Sequence, residues 1–264
     1  MKSKKLVIPY VLWMIMFTLV PLILVINNAC FDENGKFTLL FLQKAFTYRD
    51  EFLYSIWVAF LSTGICLLLA YPLSYLISRS SARAQRTYTM LIMVPMWMNF
   101  LLRIRAWVLL LQNDGPIDSL LSMFGINASL MYNTGAVVLG MVYEFLPFMI
   151  LPLCTVMGKI DKSLIEAAQD LGCNKLEVIR KVVFPLSVPG IISGVTMVFV
   201  PTASTFLVSQ YLGGPDNKMI GDVIESLYKS DRNTASAIAL CLMVVILVFM
   251  IVMNRFGDEE AVGI

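Results

Sequence analysis

The 264-residue chain contains no histidine. This absence excludes histidine-ligated zinc sites, histidine general bases and Ser-His-Asp triads. Charged residues are also scarce: they make up 14% of the chain, against 58% hydrophobic residues, and the mean hydropathy is +0.78. So apolar a composition is typical of a membrane protein. We therefore expect lipid around most of the chain, and no nucleic-acid partner.

Paired cysteines and a nucleotide-binding loop are missing as well. None of the five cysteines belongs to a CxxC pair, and Cys66, Cys154 and Cys241 fall in apolar runs, where cysteine behaves as a small hydrophobe. The sequence thus indicates neither a disulfide framework nor a metal site. It also lacks G-x-x-x-x-G-K-[ST], the loop that cradles ATP phosphates. Together these absences disfavour a membrane enzyme, and we expect no cofactor in this chain.

What the chain does have is long apolar stretches, six of which could each cross a bilayer as a helix. They lie near 6–26, 55–77, 88–111, 134–157, 189–210 and 235–254. The first follows a basic start and is too long for the apolar core of a typical signal peptide, so we expect an uncleaved helix. The predicted fold is an all-α membrane protein, one transmembrane domain of six helices over 1–264.

The distribution of positive charge predicts the orientation of these spans. With the N-terminus in the cytoplasm, twelve of the twenty Lys and Arg residues fall in cytoplasmic segments and six in external ones. The remaining two, Arg103 and Arg105, lie within the third span. Positive charge concentrates on the cytoplasmic side of membrane proteins. We therefore expect both termini in the cytoplasm.

The longest cytoplasmic segment on this topology is the loop 158–188, which is unusually polar for so apolar a chain. Its sequence predicts two short helices. Ser163 and Glu166 have capping-box spacing at the start of the first helix, and Asn174 and Glu177 repeat it at the second. Such a loop is either an ordinary solvated connection or a surface for a partner.

The ends and apolar faces of the two helices can also be read from the sequence. Gly172 suits the C-terminal stop of the first helix, and Pro185 is expected to close the second. Each helix has one apolar face. These faces comprise Leu164, Ala168 and Leu171 in the first helix, and Leu176, Ile179, Val183 and Leu186 in the second. The helix pair could therefore cap the bundle while presenting its other side outward.

One motif in this loop resembles a known family. Glu166, Ala167 and Ala168 are followed after three residues by Gly172, and after nine more by a short apolar run that ends in Pro185. This pattern is similar to the EAA loop of bacterial ABC-importer permeases. The family implies a type I ABC-importer permease fold in which EAA coupling helices dock into a cytoplasmic ATPase. ATP and Mg would then be bound by that partner, not by this chain.

Further segments resemble the permeases of spermidine/putrescine importers. They read "VPMWMNFLLRIRAW", "LPFMILPL", "VPGIISG" and "YLGGP". This likeness implies polyamine import across the bacterial cytoplasmic membrane. It also implies a second permease subunit of the PotC type, two copies of a PotA-type ATPase, and an external PotD-type polyamine-binding protein. Two alternatives stay open: a permease for another solute such as an inorganic anion, for which Arg103 and Arg105 would be attractive, and an ion-driven secondary transporter.

Glu144 is the only acidic residue within a predicted span. At 1.5 Å per residue it lies about 15 Å from the external end of its span, and Arg103 lies about 12 Å from the same side. The two residues could form a structural ion pair, or Glu144 could face the path of a cationic substrate. Other pathway candidates are aromatic or polar: Tyr143, Trp97, Phe206, Ser209, Gln210 and Tyr211.

Overall fold

The computed structural model describes residues 4–32, 35–125 and 129–262, and within these ranges the regular secondary structure is helical apart from one isolated β-bridge. We number the helices in chain order. They are α1 Lys4–Met14, α2 Val20–Cys30, α3 Leu40–Ala45, α4 Arg49–Arg79, α5 Ala82–Met93, α6 Phe100–Leu111, α7 Pro116–Ser122, α8 Thr134–Met157, α9 Lys162–Asp170, α10 Lys175–Val178, α11 Phe184–Ser204, α12 Leu207–Leu212, α13 Ile220–Ser230 and α14 Arg232–Val262.

Five helical stretches in the described ranges are long and apolar enough to cross a membrane. They are Pro9–Cys30, Leu40–Arg79, Thr134–Met157, Lys175–Ser204 and Arg232–Phe256. A sixth arises if the bent pair Ala82–Trp97 and Phe100–Ser122 is counted as one span. The expectation of an all-helical membrane protein with six spans is confirmed in this sense, with one span broken.

The third span differs from the single apolar helix expected over 88–111. The two halves meet at an angle of 87°. A 3-10 turn over Val94–Trp97 contains Pro95, which has no N–H to continue a helix, and Met98 then adopts an extended backbone. Asn99 restarts the helix, since its side-chain oxygen accepts a 2.9 Å hydrogen bond from the Leu101 N–H. Pro95 and Asn99 are the sequence signals of this break, but they stand in a continuous apolar run that suggested one helix.

The fifth span also differs from its expected range, 189–210. Its helix begins at Lys175, passes through a π-helical turn over Ile179–Val183, and continues to Ser204. Pro185 therefore does not close a helix, as was expected, but lies in the first turn of α11. Proline is tolerated there because its missing N–H falls in a turn that is already irregular. The chain becomes extended at Thr205, and α12 follows.

The core of the bundle forms where α4, α8 and α11 pack together. Buried α8 residues Met141, Met149 and Leu153 lie at its centre. α11 approaches α8 at two glycines. A Cβ on Gly190 would stand 3.0 Å from the Val156 Cβ, and a Cβ on Gly194 would stand 2.6 Å from the Met149 Sδ. Small residues at such crossings let membrane helices come close enough for extensive van der Waals contact.

The bundle has two distinct ends, which we call the far end and the loop end. At the far end the starts of α4 and α8 lie side by side, and the Tyr54 hydroxyl donates a 3.2 Å hydrogen bond to the Thr134 hydroxyl. Asn217 joins them by accepting from Thr134 at 3.1 Å. At the loop end α4 and α8 terminate together at Arg79 and Met157, next to the segment 158–174.

Candidate functional site

The loop at the loop end folds into the two helices α9 and α10, with one change at the start. Asp161, not Ser163, caps α9: its Oδ1 accepts a 3.1 Å hydrogen bond from the Ser163 N–H. This bond holds the pKa of the exposed Asp161 carboxyl below its usual value. Aspartate is as good an N-cap as serine and stands two residues earlier, so it takes the position. The expected capping box of Ser163 and Glu166 is therefore wrong.

The second capping box and the glycine stop are confirmed. The Asn174 side chain accepts from the Glu177 N–H and the Glu177 carboxylate accepts from the Asn174 N–H, both at 2.9 Å. Gly172 has φ +87°, a left-handed conformation that ends α9. The Gly172 N–H donates to the Gln169 carbonyl and the Cys173 N–H to the Ala168 carbonyl. These two bonds make a Schellman turn, which fixes the angle between α9 and α10.

The apolar face of α9 points differently from the expectation. Ala168 and Ile165 pack inward, against a small core of Ile160, Val178 and Val183. The leucines of the expected face are instead exposed, as are Glu166 and Ala167 of the EAA motif. Leu164 is 48% exposed and Leu171 is 87% exposed. On the expected face of the second helix, Leu176 is 75% exposed, whereas Val183 and Leu186 pack inward. An apolar surface at the polar end of a membrane protein is a feature of interaction sites.

An arginine from α4 ties this loop to the bundle. The Arg79 guanidinium donates from Nη2 to the Met157 carbonyl at 2.9 Å and from Nη1 to the Ile160 carbonyl at 3.4 Å. It also lies 5.7 Å from the centre of the Tyr75 ring. The last carbonyls of α8 have no partner within the helix, and a cation is favoured at a helix C-terminus. Arg79 thus anchors the start of the loop to α4 and α8.

Replacing Arg79 with methionine should show how firmly this anchor holds. Methionine fills similar apolar space but donates no hydrogen bond, so the Met157 carbonyl at the end of α8 and the Ile160 carbonyl in the loop lose their charged partner. We expect the free energy of unfolding of the purified protein to fall by about 2 kcal/mol. Denaturant unfolding in detergent measures this, with Arg83→Met on the exposed start of α5 as the control. An unchanged free energy would contradict the anchoring role.

Glu144 and Arg103 form a buried ion pair in the bundle. The Nη2 atom of Arg103 lies 2.6 Å from Oε2 of Glu144, and the two side chains are 7% and 1% exposed. Among the described residues, neither Oε1 of Glu144 nor Nε of Arg103 has a hydrogen-bond partner. The pair therefore joins α6, the second half of the bent span, to the central helix α8 by one close contact.

The other pathway candidates lie at different levels around this pair. Tyr143 contacts the Trp107 ring edge-on at 5.4 Å between centroids, and the Arg105 guanidinium carbon lies 4.4 Å from the Tyr211 ring centroid. Both contacts involve α6, the first with α8 and the second with α12. α12 itself packs closely on α8, where a Cβ on Gly140 would stand 2.6 Å from Leu212 Cδ1. Phe206 lies at the break before α12 and is half-buried.

Two cavities hold the remaining candidates. Ser209 and Gln210 line a polar cavity of about 530 Å³ at the far end, together with Asp222 and Glu225. Burial raises the pKa of the Asp222 carboxyl above its usual value. Trp97 lines a second cavity of about 540 Å³ between α4, α5 and α8, close to Arg86. The described structure therefore does not bring the candidates into one chamber, since the Arg103–Glu144 pair lies outside both cavities.

Sequence reasoning missed several polar residues that organise the site. Asn217 joins the far ends of α4 and α8: its Oδ1 accepts from the Tyr54 and Thr134 hydroxyls, and its Nδ2 donates to the Tyr132 and Gly213 carbonyls. The Ser55 hydroxyl accepts a 2.6 Å hydrogen bond from the Ile220 N–H, which docks α13 onto α4. No local pattern signals contacts over such separations. Each residue stands alone among apolar or loop residues in the sequence.

An all-helical bundle with five or six spans, and a rigid exposed EAA loop at one end, defines the permease subunit of an ATP-binding cassette importer. The fold agrees with that of a permease chain in the crystal structure of a bacterial ABC transporter involved in the import of the acidic polysaccharide alginate. The TM-score is 0.77, over 97% of this chain and 95% of that one, at 17% sequence identity.

The chain belongs to the family of binding-protein-dependent transport system inner membrane components, whose sequence profile matches residues 70–258. Two relatives are spermidine/putrescine transport system permease proteins PotB. The one from Escherichia coli K12 is 32% identical over 232 residues, covering 84% of each chain. The one from Haemophilus influenzae is 33% identical over 253 residues, covering 90% of this chain and 88% of that protein.

Membership fixes several properties of the chain. It is a multi-pass inner-membrane transport component and not an enzyme. It carries no cofactor of its own, because the ATPase of such importers is a separate subunit. An ATPase and a binding protein are accordingly its partners. The resemblance stated from the EAA loop is thereby confirmed.

Proposed function

We propose that this chain is the permease subunit of an importer that carries polyamines, spermidine or putrescine, into the cytoplasm. The observation that supports this substrate most directly is the likeness to the PotB proteins over most of the chain. Glu144 agrees with it, because a carboxylate buried in a membrane bundle suits a path for organic cations. The far-end cavity holds Asp222 and Glu225 beside Lys218, and Glu225 also pairs with Lys229 at 2.6 Å, so this cavity by itself gives a cation little preference.

The proposed orientation puts the loop end and both termini in the cytoplasm. The polar face of α9 would then meet a PotA-type ATPase, of which the complete importer holds two copies. A PotC-type permease would form the other half of the path. The far end, with its polar cavity, would face an external PotD-type binding protein. The exposed leucines Leu164, Leu171 and Leu176 offer the ATPase an apolar contact beside Glu166.

The mechanism we infer is alternating access driven from the loop. α9 is short, capped by Asp161 and ended by Gly172, so it moves as a unit. It is joined to the end of α8 through four residues and the Arg79 anchor, and to α11 through α10 and the π-helical turn. A displacement of the ATPase is thus passed directly to the two helices at the centre of the bundle. This assigns coupling to Glu166, Ala167, Ala168 and Gly172, with Pro185 in the turn that leads into α11.

The rival substrate class, an inorganic anion, finds less support in the described structure. Arg103 is neutralised by Glu144, so an anion there would also face a buried carboxylate. Arg105 is exposed and its contact with the Tyr211 ring occupies none of its N–H donors, so Arg105 alone stays available to an anion.

A competition assay tests the substrate. Proteoliposomes that contain the complete importer, with its cognate binding protein outside and ATP inside, take up labelled spermidine. We expect unlabelled spermidine or putrescine in excess to suppress this uptake, and sulfate or phosphate to leave it unchanged. If the complex accumulated labelled sulfate or phosphate, and spermidine did not enter, the polyamine assignment would be wrong while the family assignment stood.

A further inference from the structure

We propose that Arg103 is a tethered cation that holds the Glu144 carboxylate when the transporter is empty, and that an ammonium group of the substrate takes its place during transport. This inference rests on the proposed function. It goes beyond it by naming the residue that competes with the substrate. The Glu144 carboxylate would then select for cations, since only a cation can replace the Arg103 guanidinium beside a buried carboxylate.

The incomplete bonding of the pair is the first support. A buried ion pair that serves only stability requires good geometry and further hydrogen bonds to its remaining atoms, because its desolvation is costly. Here Oε1 of Glu144 and Nε of Arg103 have no partner among the described residues, although the two side chains are 1% and 7% exposed. The single close contact, Nη2 to Oε2, leaves one carboxylate oxygen open as an acceptor for another donor.

The second support is that the two partners lie on helices that are held differently. Glu144 belongs to α8, which is packed by α4 and α11 and carries much of the buried core. Arg103 belongs to α6, a helix of 12 residues that follows an extended break at Met98 and an 87° bend. Hinges of this kind absorb large backbone changes. A shift of α6 would remove Arg103 from Glu144 and would also break its two ring contacts with α8, Trp107–Tyr143 and Phe100–Phe145, while the packing of α8 on α4 and α11 stays.

The third support is the aromatic environment. The Phe100 ring lies 5.7 Å from the Arg103 guanidinium carbon, and it also contacts Phe145 at 6.5 Å between centroids. Aromatic faces attract desolvated ammonium groups as they attract guanidinium. Phe100 belongs to α6 and moves with Arg103, whereas the Phe145 ring stays on α8 and would remain there for an alkylammonium group. Because a cation stays beside Glu144 in both states, the carboxylate is never left buried and uncompensated.

Binding of labelled spermidine to the purified complex, without its binding protein, tests this directly. Arg103→Gln removes the internal competitor, so we expect its apparent affinity to rise about tenfold over the wild type. Arg103→Lys keeps a tethered cation and should bind like the wild type. Arg105→Gln changes the neighbouring arginine, which faces Tyr211, and is the matched control. Affinity that is unchanged or weaker in Arg103→Gln would overturn the inference.

Uptake by the neutral double variant separates substrate binding from structure. Glu144→Gln should reduce uptake by roughly 30-fold or more. The double variant Arg103→Gln with Glu144→Gln removes both charges, so neither single variant's unpaired buried charge remains and the stability lost in the single variants is recovered. If the pair were only structural, uptake would recover as well. We expect the double variant to unfold at the wild-type temperature yet remain as defective in uptake as Glu144→Gln. Recovery of uptake would overturn this inference alone. A wild-type complex that does not transport spermidine would overturn the proposed function and this inference with it.

Discussion

Replacing Gly172 with proline is expected to abolish uptake while leaving the membrane bundle folded. Gly172 has φ +87°, whereas proline fixes φ near −65° and lacks an N–H. The variant therefore loses the hydrogen bond to the Gln169 carbonyl and the turn that sets α10 at its angle to α9. No atom within 4 Å would meet a Cβ at this position, so the effect would come from the backbone and not from a clash.

The measurement is co-purification of the ATPase with the permease, followed by uptake in proteoliposomes. Gly172→Pro should lose both by about 100-fold, which corresponds to some 2.7 kcal/mol of lost interaction. Gly172→Asn is the matched control, because asparagine adopts the left-handed conformation more readily than other residues with a side chain. It should keep nearly normal ATPase binding. If Gly172→Pro inserted normally and still bound the ATPase and transported, the loop would not be the coupling element.

Replacing Gly221 with valine should disrupt the far end. A Cβ at this position would stand 2.9 Å from the Thr205 carbonyl oxygen and 3.0 Å from that of Ser204. Both are backbone atoms, which cannot rotate away as a side chain can. The neighbouring Ile220 N–H also donates to Ser55, and this bond would be lost if α13 moved outward. We expect a loss of about 3 kcal/mol in the free energy of unfolding.

The matched control is Gly64→Ala in the middle of α4, where a Cβ would meet nothing within 4 Å. This change should stabilise the protein slightly, by up to about 1 kcal/mol, because alanine is the better helix former. Denaturant unfolding and uptake would be compared for both variants. If Gly221→Val were as stable as the wild type, the close packing of α13 against the break between α11 and α12 would not be needed for stability.

The loop 158–188 was the most predictable part of the protein, since its signals are local. The capping box of Asn174 and Glu177 and the left-handed Gly172 depend on residues within one or two turns of each other. The same locality explains two errors. Asp161 displaced Ser163 as the cap of α9, and Pro185 lies in the first turn of α11, directly after a π-helical turn that no propensity indicates.

Features that depend on packing were less accessible to sequence reasoning. The apolar run over 88–111 suggested one helix, although Pro95 and Asn99 mark the bend once it is known. Counting residues from the ends of the spans placed Glu144 and Arg103 at similar depths and so anticipated their pairing as one of two possibilities. It did not reveal their near-complete burial or the unpartnered atoms, since these depend on how α6 folds back against α8.

A separate ATPase drives this permease. This dependence is tested most directly by spermidine uptake into proteoliposomes that carry the complete importer, with and without internal ATP. We expect uptake only with ATP and the binding protein, and none when the phosphate-binding lysine of the ATPase is replaced. A proton or sodium gradient alone should have no effect. Uptake driven by such a gradient in the absence of ATP would contradict the account and identify an ion-driven transporter.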